Sequence, residues 1–250
     1  MISISFFGRS SHVVPHILND VRLRYTVSTT IIATLVSWDL ILRERGVSSM
    51  RIIGERMHFQ ADHSSTSYLF YSPKRLDEKT RQLAGSYSRR ARVSTHTAAY
   101  TYNVEGYDLP RGAEDELFAA SFEAMVSESY DWWTLAFTVP YSEDALRRLS
   151  AFEEAVGPDD TGISVKSLKG GGKIKITIYC RLASDGDWVD TRGDPFDSFI
   201  QRLLDLREEV VAGDYSGLQL IAARFDPETF DEPEKASDAA EWLAGNIEAE

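Results

Sequence analysis

Cysteine is nearly absent from this chain: Cys180 is the only one in 250 residues. No intrachain disulfide can form, and no CxxC pair is present to grip zinc. Long apolar runs are missing as well. The longest, over residues 31–42, is broken by Thr34, Ser37 and Asp39, so it is too short and too polar for a membrane span. The opening stretch MISISFFGRSSHVV has neither the basic start nor the apolar centre of a secretory signal, and the chain reads as cytoplasmic. Signatures of common chemistries are lacking too: there is no HExxH, GxSxG, GxGxxG or kinase pattern. The run Lys169-Gly170-Gly171-Gly172-Lys173 is not a phosphate loop, because Ser167 stands where the first glycine belongs and Ile174 where Ser or Thr belongs. The aspartates at 185, 187, 190, 194 and 197 do not follow a calcium-loop spacing. The sequence therefore gives no reason to expect a metal or a cofactor.

What is present is an ordinary globular composition, 43% hydrophobic and 26% charged, sufficient for a core at this length. The charge is unevenly spread. The net value is −12, yet residues 1–110 hold 14 Lys and Arg against 9 Asp and Glu, whereas residues 111–250 hold 13 against 30. All five histidines, His12, His16, His58, His63 and His96, lie in the first part. Such asymmetry bears on partners rather than on fold.

Hydrophobic periodicity alternates between strand and helix along the chain. Strands are expected near 2–6, 22–27, 49–60, 66–71 and 99–104, with a helix at 31–45 between the second and third. Ser72-Pro73 reads as a helix start, with Leu76, Thr80, Leu83 and Tyr87 along one face. GYDLPRG, 106–112, has the turn residues of a linker. A helix is expected over 113–127, carrying Leu117, Phe118, Phe122 and Met125. WWTLAFTV then reads as a strand and Ser142 as a helix cap, with Leu149 and Phe152 on the buried stripe. TGISVKSL and KIKITIYC read as a hairpin closed by the glycine run, with Cys180 in line with Ile174, Ile176 and Ile178. Asp194-Pro195 begins a helix that ends at Gly213, GLQLIAARF reads as a last strand, and 226–250 as an acidic, mobile tail with a short helix near 239–247. The order β-α-β-β-α-β can be traced near 21–104 and again near 131–225. The expected fold is α+β: two tandem ferredoxin-like units with antiparallel sheets. The domains would be a basic unit at 1–110, a connecting helix at 111–130, an acidic unit at 131–225 and the tail.

Without an assembled catalytic constellation, the expected role is a non-enzymatic binding or assembly protein, its acidic C-terminal face steering association with a protein partner. The alternative is RNA binding, or metal-independent RNA cleavage, by the basic part. Arg22, Arg24, Lys74, Arg75, Arg89 and Arg90 would then hold phosphates, and His58 or His63 would transfer a proton. Lys74 and Arg75 carry the most information here. In a helix's first turn cations are unfavourable by up to ~1 kcal/mol, unless a bound anion shares the site. Lys169 and Lys173, flanking the glycines, form a second candidate anion site. Tyr68, Phe70, Tyr71, Tyr100 and Tyr102 are either base-stacking platforms or a buried sheet face.

Overall fold

The computed structural model describes residues 65–103, 108–129, 132–155, 157, 161–170, 172–182 and 195–248. All of them belong to the second of the two units into which the chain divides, Met57–Glu250. The strands expected upstream of residue 65 lie outside the described residues.

Seven strands and six α-helices are found among the described residues. In order they are β1 (Thr66–Tyr71), α1 (Glu78–Ser86), β2 (Arg92–Val93), β3 (Thr97–Tyr102), α2 (Ala113–Ala120), β4 (Ala124–Ser129) and β5 (Trp132–Pro140). After these come α3 (Glu143–Leu149), continued by a 3-10 turn at Ser150–Glu154, then β6 (Gly162–Leu168), β7 (Lys173–Cys180), α4 (Pro195–Ala212), α5 (Ser216–Phe225) and α6 (Asp238–Asn246). The strands form one antiparallel sheet in the order β2-β3-β1-β4-β5-β7-β6. The α+β class is as expected, but two units with separate sheets are not observed. Strands from both sides of the 111–130 segment join a single sheet, through the β4–β5 pairing.

Three expected elements change type or position. The helix expected over 113–127 stops at Ala120, and 124–129 becomes a central strand. Phe118, Phe122 and Met125 are spaced like a helical stripe, and all three do enter one core cluster. Phe118 reaches it from a helix, however, and Met125 from a strand. The helix expected at Ser72-Pro73 starts only at Glu78, capped by Asp77, whose Oδ1 accepts from the Thr80 amide at 2.7 Å. Ser72 is otherwise engaged: its amide donates to His96 O and its hydroxyl to Lys74 O, each at 2.8 Å. Finally, 216–225 is a helix and not a strand. The sheet position beside β5 that a closing strand would take is filled by β4. Leu218, Ile221, Ala222 and Phe225 then bury a helical stripe.

Other expectations hold. Ser142 Oγ accepts from the Ala145 amide, capping α3. The 169–172 run is a hairpin turn in which Gly170 and Gly172 have φ of +79° and +58°, a region that disfavours side chains bearing Cβ. Cys180 is fully buried, and burial pushes its thiol pKa up, so it serves as a core residue.

The register shows that the apolar side of the sheet changes from one half to the other. Tyr68, Phe70, Ala98, Tyr100 and Met125 share one face and pack beneath Ala84 of α1 and Leu117 and Phe118 of α2. The aromatics of β1 and β3 are therefore buried face rather than stacking platforms. Beyond β5 that same face becomes polar, carrying Thr134, Lys175, Thr177, Tyr179 and Lys166. There the opposite face is apolar, with Trp133, Leu135, Phe137, Ile174, Ile176 and Ile178 all buried. Trp133 meets Phe199 of α4 at 5.6 Å, and Phe199 meets Trp242 of α6 at 4.9 Å between ring centroids.

At the outer edge of the sheet, β6 is guarded. The Ile163 amide donates to Ala155 O at 3.2 Å and the Val165 amide to Glu153 Oε1 at 3.1 Å. An open edge with free amides is a template for pairing with another chain. Glu153→Ala is expected to cost about 1 kcal/mol and to raise concentration-dependent association in sedimentation velocity. Glu153→Gln, which keeps an acceptor oxygen, should remain like the wild type. Equal association by all three proteins would show that the edge needs no guard.

Candidate binding surfaces

The segment after α5 was expected to be a mobile tail, but it is fastened to the body. Phe230 stacks on Phe152 with ring centroids 6.0 Å apart. Gln219 Nε2 donates to Asp231 O at 2.9 Å, and the Phe230 amide to Asp226 O at 3.0 Å. Ser237 Oγ then accepts from the Ala240 amide to cap α6, which buries Ala239, Ala240, Leu243 and Ala244. The Glu248 amide closes the segment on Arg181 O at 2.9 Å. With its apolar residues turned inward, the segment leaves Glu228, Asp231, Glu232, Glu234, Asp238 and Glu241 exposed, with Lys235 as the cation in the same stretch. A fixed array of carboxylates lies on this surface.

The cations singled out in the sequence have separate positions. Lys74 and Arg75 are exposed in the connection before α1 and not in its first turn, so the helix-dipole argument for an anion there does not apply. Arg89 and Arg90 are exposed in the turn beyond the other end of α1, and Lys169 is exposed on the hairpin. None of these five forms an ion pair among the described residues. Lys173 differs from them. Its Nζ donates to Phe118 O at 2.7 Å and Phe122 O at 3.2 Å, taking up carbonyls at the end of α2. Burial lowers its pKa; Glu123 opposes this, while the charges of Arg207 and Lys74 add to it. Lys74 and Lys173, remote in sequence, are thus within electrostatic reach of each other.

The polar half of the sheet brings together groups that the sequence did not single out as a set. Lys175 Nζ contacts Asp115 Oδ1 at 2.7 Å and Glu114 Oε2 at 3.5 Å, and Lys166 pairs with Asp115 from the neighbouring strand. Both carboxylates lie in the first turn of α2, where the helix dipole favours them. Burial alone would raise the Asp115 carboxyl, but its bonds to Lys166 and Lys175 hold it below the usual range. Glu114 is pushed up by burial, with Lys175 opposing. Burial would lower Lys175; the Asp115 bond and the Glu114 charge outweigh it and raise its pKa. Nearby, Tyr68 donates to Asp108, and burial with that bond raises the phenol's pKa. Tyr179, 42% exposed, stands on the same face. Lys166 and Lys175 are therefore neutralised by α2, whereas Lys169 and Lys173 are not. The only signal for this pairing in the sequence is the acidic triplet Glu114-Asp115-Glu116.

Arg22, Arg24, His58 and His63 lie outside the described residues. His96 stacks on Tyr71 with centroids 6.4 Å apart, and its Nδ1 lies 2.9 Å from Ser72 O, holding the turn before β3. Among the described residues no helix is long and apolar enough to cross a membrane. Comparison with known protein families, with curated proteins and with solved structures finds no match to this chain.

Proposed function

We propose that the protein is a non-enzymatic binding or assembly protein of the cytoplasm, and that it engages a basic protein partner through its acidic C-terminal surface. One observation carries this reading: the exposed carboxylates from Glu228 to Glu241 are mounted on a segment fixed by the Phe152–Phe230 stack and the Gln219–Asp231 bond. A pre-ordered array spends little entropy on binding and steers an oppositely charged partner. The two ferredoxin-like units traced near 21–104 and 131–225 remain part of this proposal; the succession β5-α3-β6-β7-α4 supports the second, in which β4 and not residues 216–225 lies beside β5.

Replacing Glu228, Asp231, Glu232 and Glu234 together by their amides should leave the fold intact. Capture of a basic partner should fall by about tenfold or more, and wild-type capture should weaken as added salt shortens the screening length below ~10 Å. A pull-down that recovers no protein partner, together with turnover in a broad substrate screen, would reject the reading.

A second reading, RNA binding, has one observation in its favour: Lys74, Arg75, Arg89, Arg90 and Lys169 are exposed without carboxylate partners among the described residues, and Lys74 lies within electrostatic reach of Lys173. In this reading Arg22 and Arg24 add phosphate contacts, and His58 or His63 supplies any proton transfer. Absence of single-stranded RNA binding at low salt ends it.

A further inference from the structure

The three C-terminal helices meet around a carboxylate that has no cationic partner among the described residues. Glu209 lies near the end of α4, and its Oε2 is shielded from solvent without a hydrogen-bond partner. α5 approaches closely: a Cβ on Gly217 would stand 2.5 Å from Leu206 Cδ1, 3.0 Å from Ala240 Cβ and 3.1 Å from Glu209 Oε2. The carboxylate is therefore wedged where α4, α5 and α6 converge, at a point where only glycine fits. The charged groups bearing on it are Asp214, in the turn between α4 and α5, and Asp205, one turn earlier on α4. α5 offers Gly217 there, and the α6 cap offers the Ser237 hydroxyl, which favours the ionised form. Burial dominates, the two aspartates reinforce it, and the Glu209 carboxyl is raised above the ordinary range.

We propose that Glu209 is a proton-operated clamp on the C-terminal helices: its protonation tightens the docking of α5 and α6, and with them the acidic segment between the two. This does not depend on what binds that segment. A carboxyl raised on folding means that the folded chain holds the proton more tightly than the unfolded one. The stability gained is then greatest below the unfolded carboxyl's range and declines as pH rises through the folded value. Once ionised, the group is a standing cost to the junction.

Hydrogen exchange on the full chain, in a series of buffers from acidic to neutral, tests the clamp, with protection in peptides of α5 and α6 corrected for intrinsic rates. On acidification wild-type protection is expected to rise, because the docked helices hold the Glu209 proton more tightly than the opened ones. Amides of α1 serve as the internal reference. Glu209→Gln should be highly protected throughout and insensitive to pH. Asp205→Asn, relieving one like charge, should move the gain to lower pH. Wild-type protection independent of pH, or a pH response that survives in Glu209→Gln, overturns the proposal. If Glu209→Gln fails to fold by circular dichroism, Asp205→Asn decides: a shifted profile supports the clamp and an unshifted one overturns it.

Discussion

Phe70→Ala is expected to destabilise the folded chain by about 3–5 kcal/mol, the range for deleting a fully buried aromatic ring. Phe70 has no exposed surface. Its ring meets Tyr100 at 6.0 Å, Phe118 at 5.7 Å and Phe122 at 5.6 Å, each edge to face. Phe118 lies on α2, and Phe122 sits in the short connection into β4. The cavity therefore opens where a helix gives way to the strand that joins the two halves of the sheet. Neighbouring rings are anchored on different elements, so collapse into the space is limited and the cavity term persists. Phe70→Leu keeps much of the volume and should cost less, about 1.5 kcal/mol. Urea denaturation measures both. Similar small losses for the two variants would place the ring outside the core.

Arg207→Ala should cost about 3 kcal/mol, the lower part of the range for breaking a largely buried ion pair from one side. Arg207 and Glu123 are only 14% and 12% exposed, with NH2 3.0 Å from Glu123 Oε2, while Nε donates to Thr138 O at 2.7 Å. Removing the guanidinium strands a carboxylate and a strand carbonyl together, and leaving buried polar groups unpaired is the dominant penalty. The pair with Glu208, which is exposed, adds little. Glu123→Gln in the Arg207→Ala background should recover part of the loss. A double-mutant cycle should then give a coupling of about 1–3 kcal/mol, and additive losses would show that the two side chains act separately.

The sequence made legible whatever is governed by short-range stereochemistry. Ser142 capped its helix, glycines 170 and 172 turned the β6–β7 hairpin, and alternation along β5 and β7 placed Trp133, Leu135 and Ile176 on one face. The candidate surface was legible in part. Carboxylates from 226 onward stood out by count, but not the aromatic stack that fixes them in place. Lys166 and Lys175, on the two strands of the β6–β7 hairpin, were visible as cations near the glycine run. Their neutralisation by Glu114 and Asp115 was not, because those partners come from a helix far away in the chain.

The amino-acid order by itself determined the α+β class, most strand and helix identities among the described residues, and the gradient of charge, since each depends on residues close together along the backbone. Only the tertiary structure decided that there is one sheet and not two, that 124–129 lies at its centre, and that 216–225 coils over it as a helix. Strand neighbours are chosen by long-range competition for hydrogen-bonding edges. Once β4 occupied the place beside β5, the stretch ending at Phe225 could satisfy its own amides only by folding on itself.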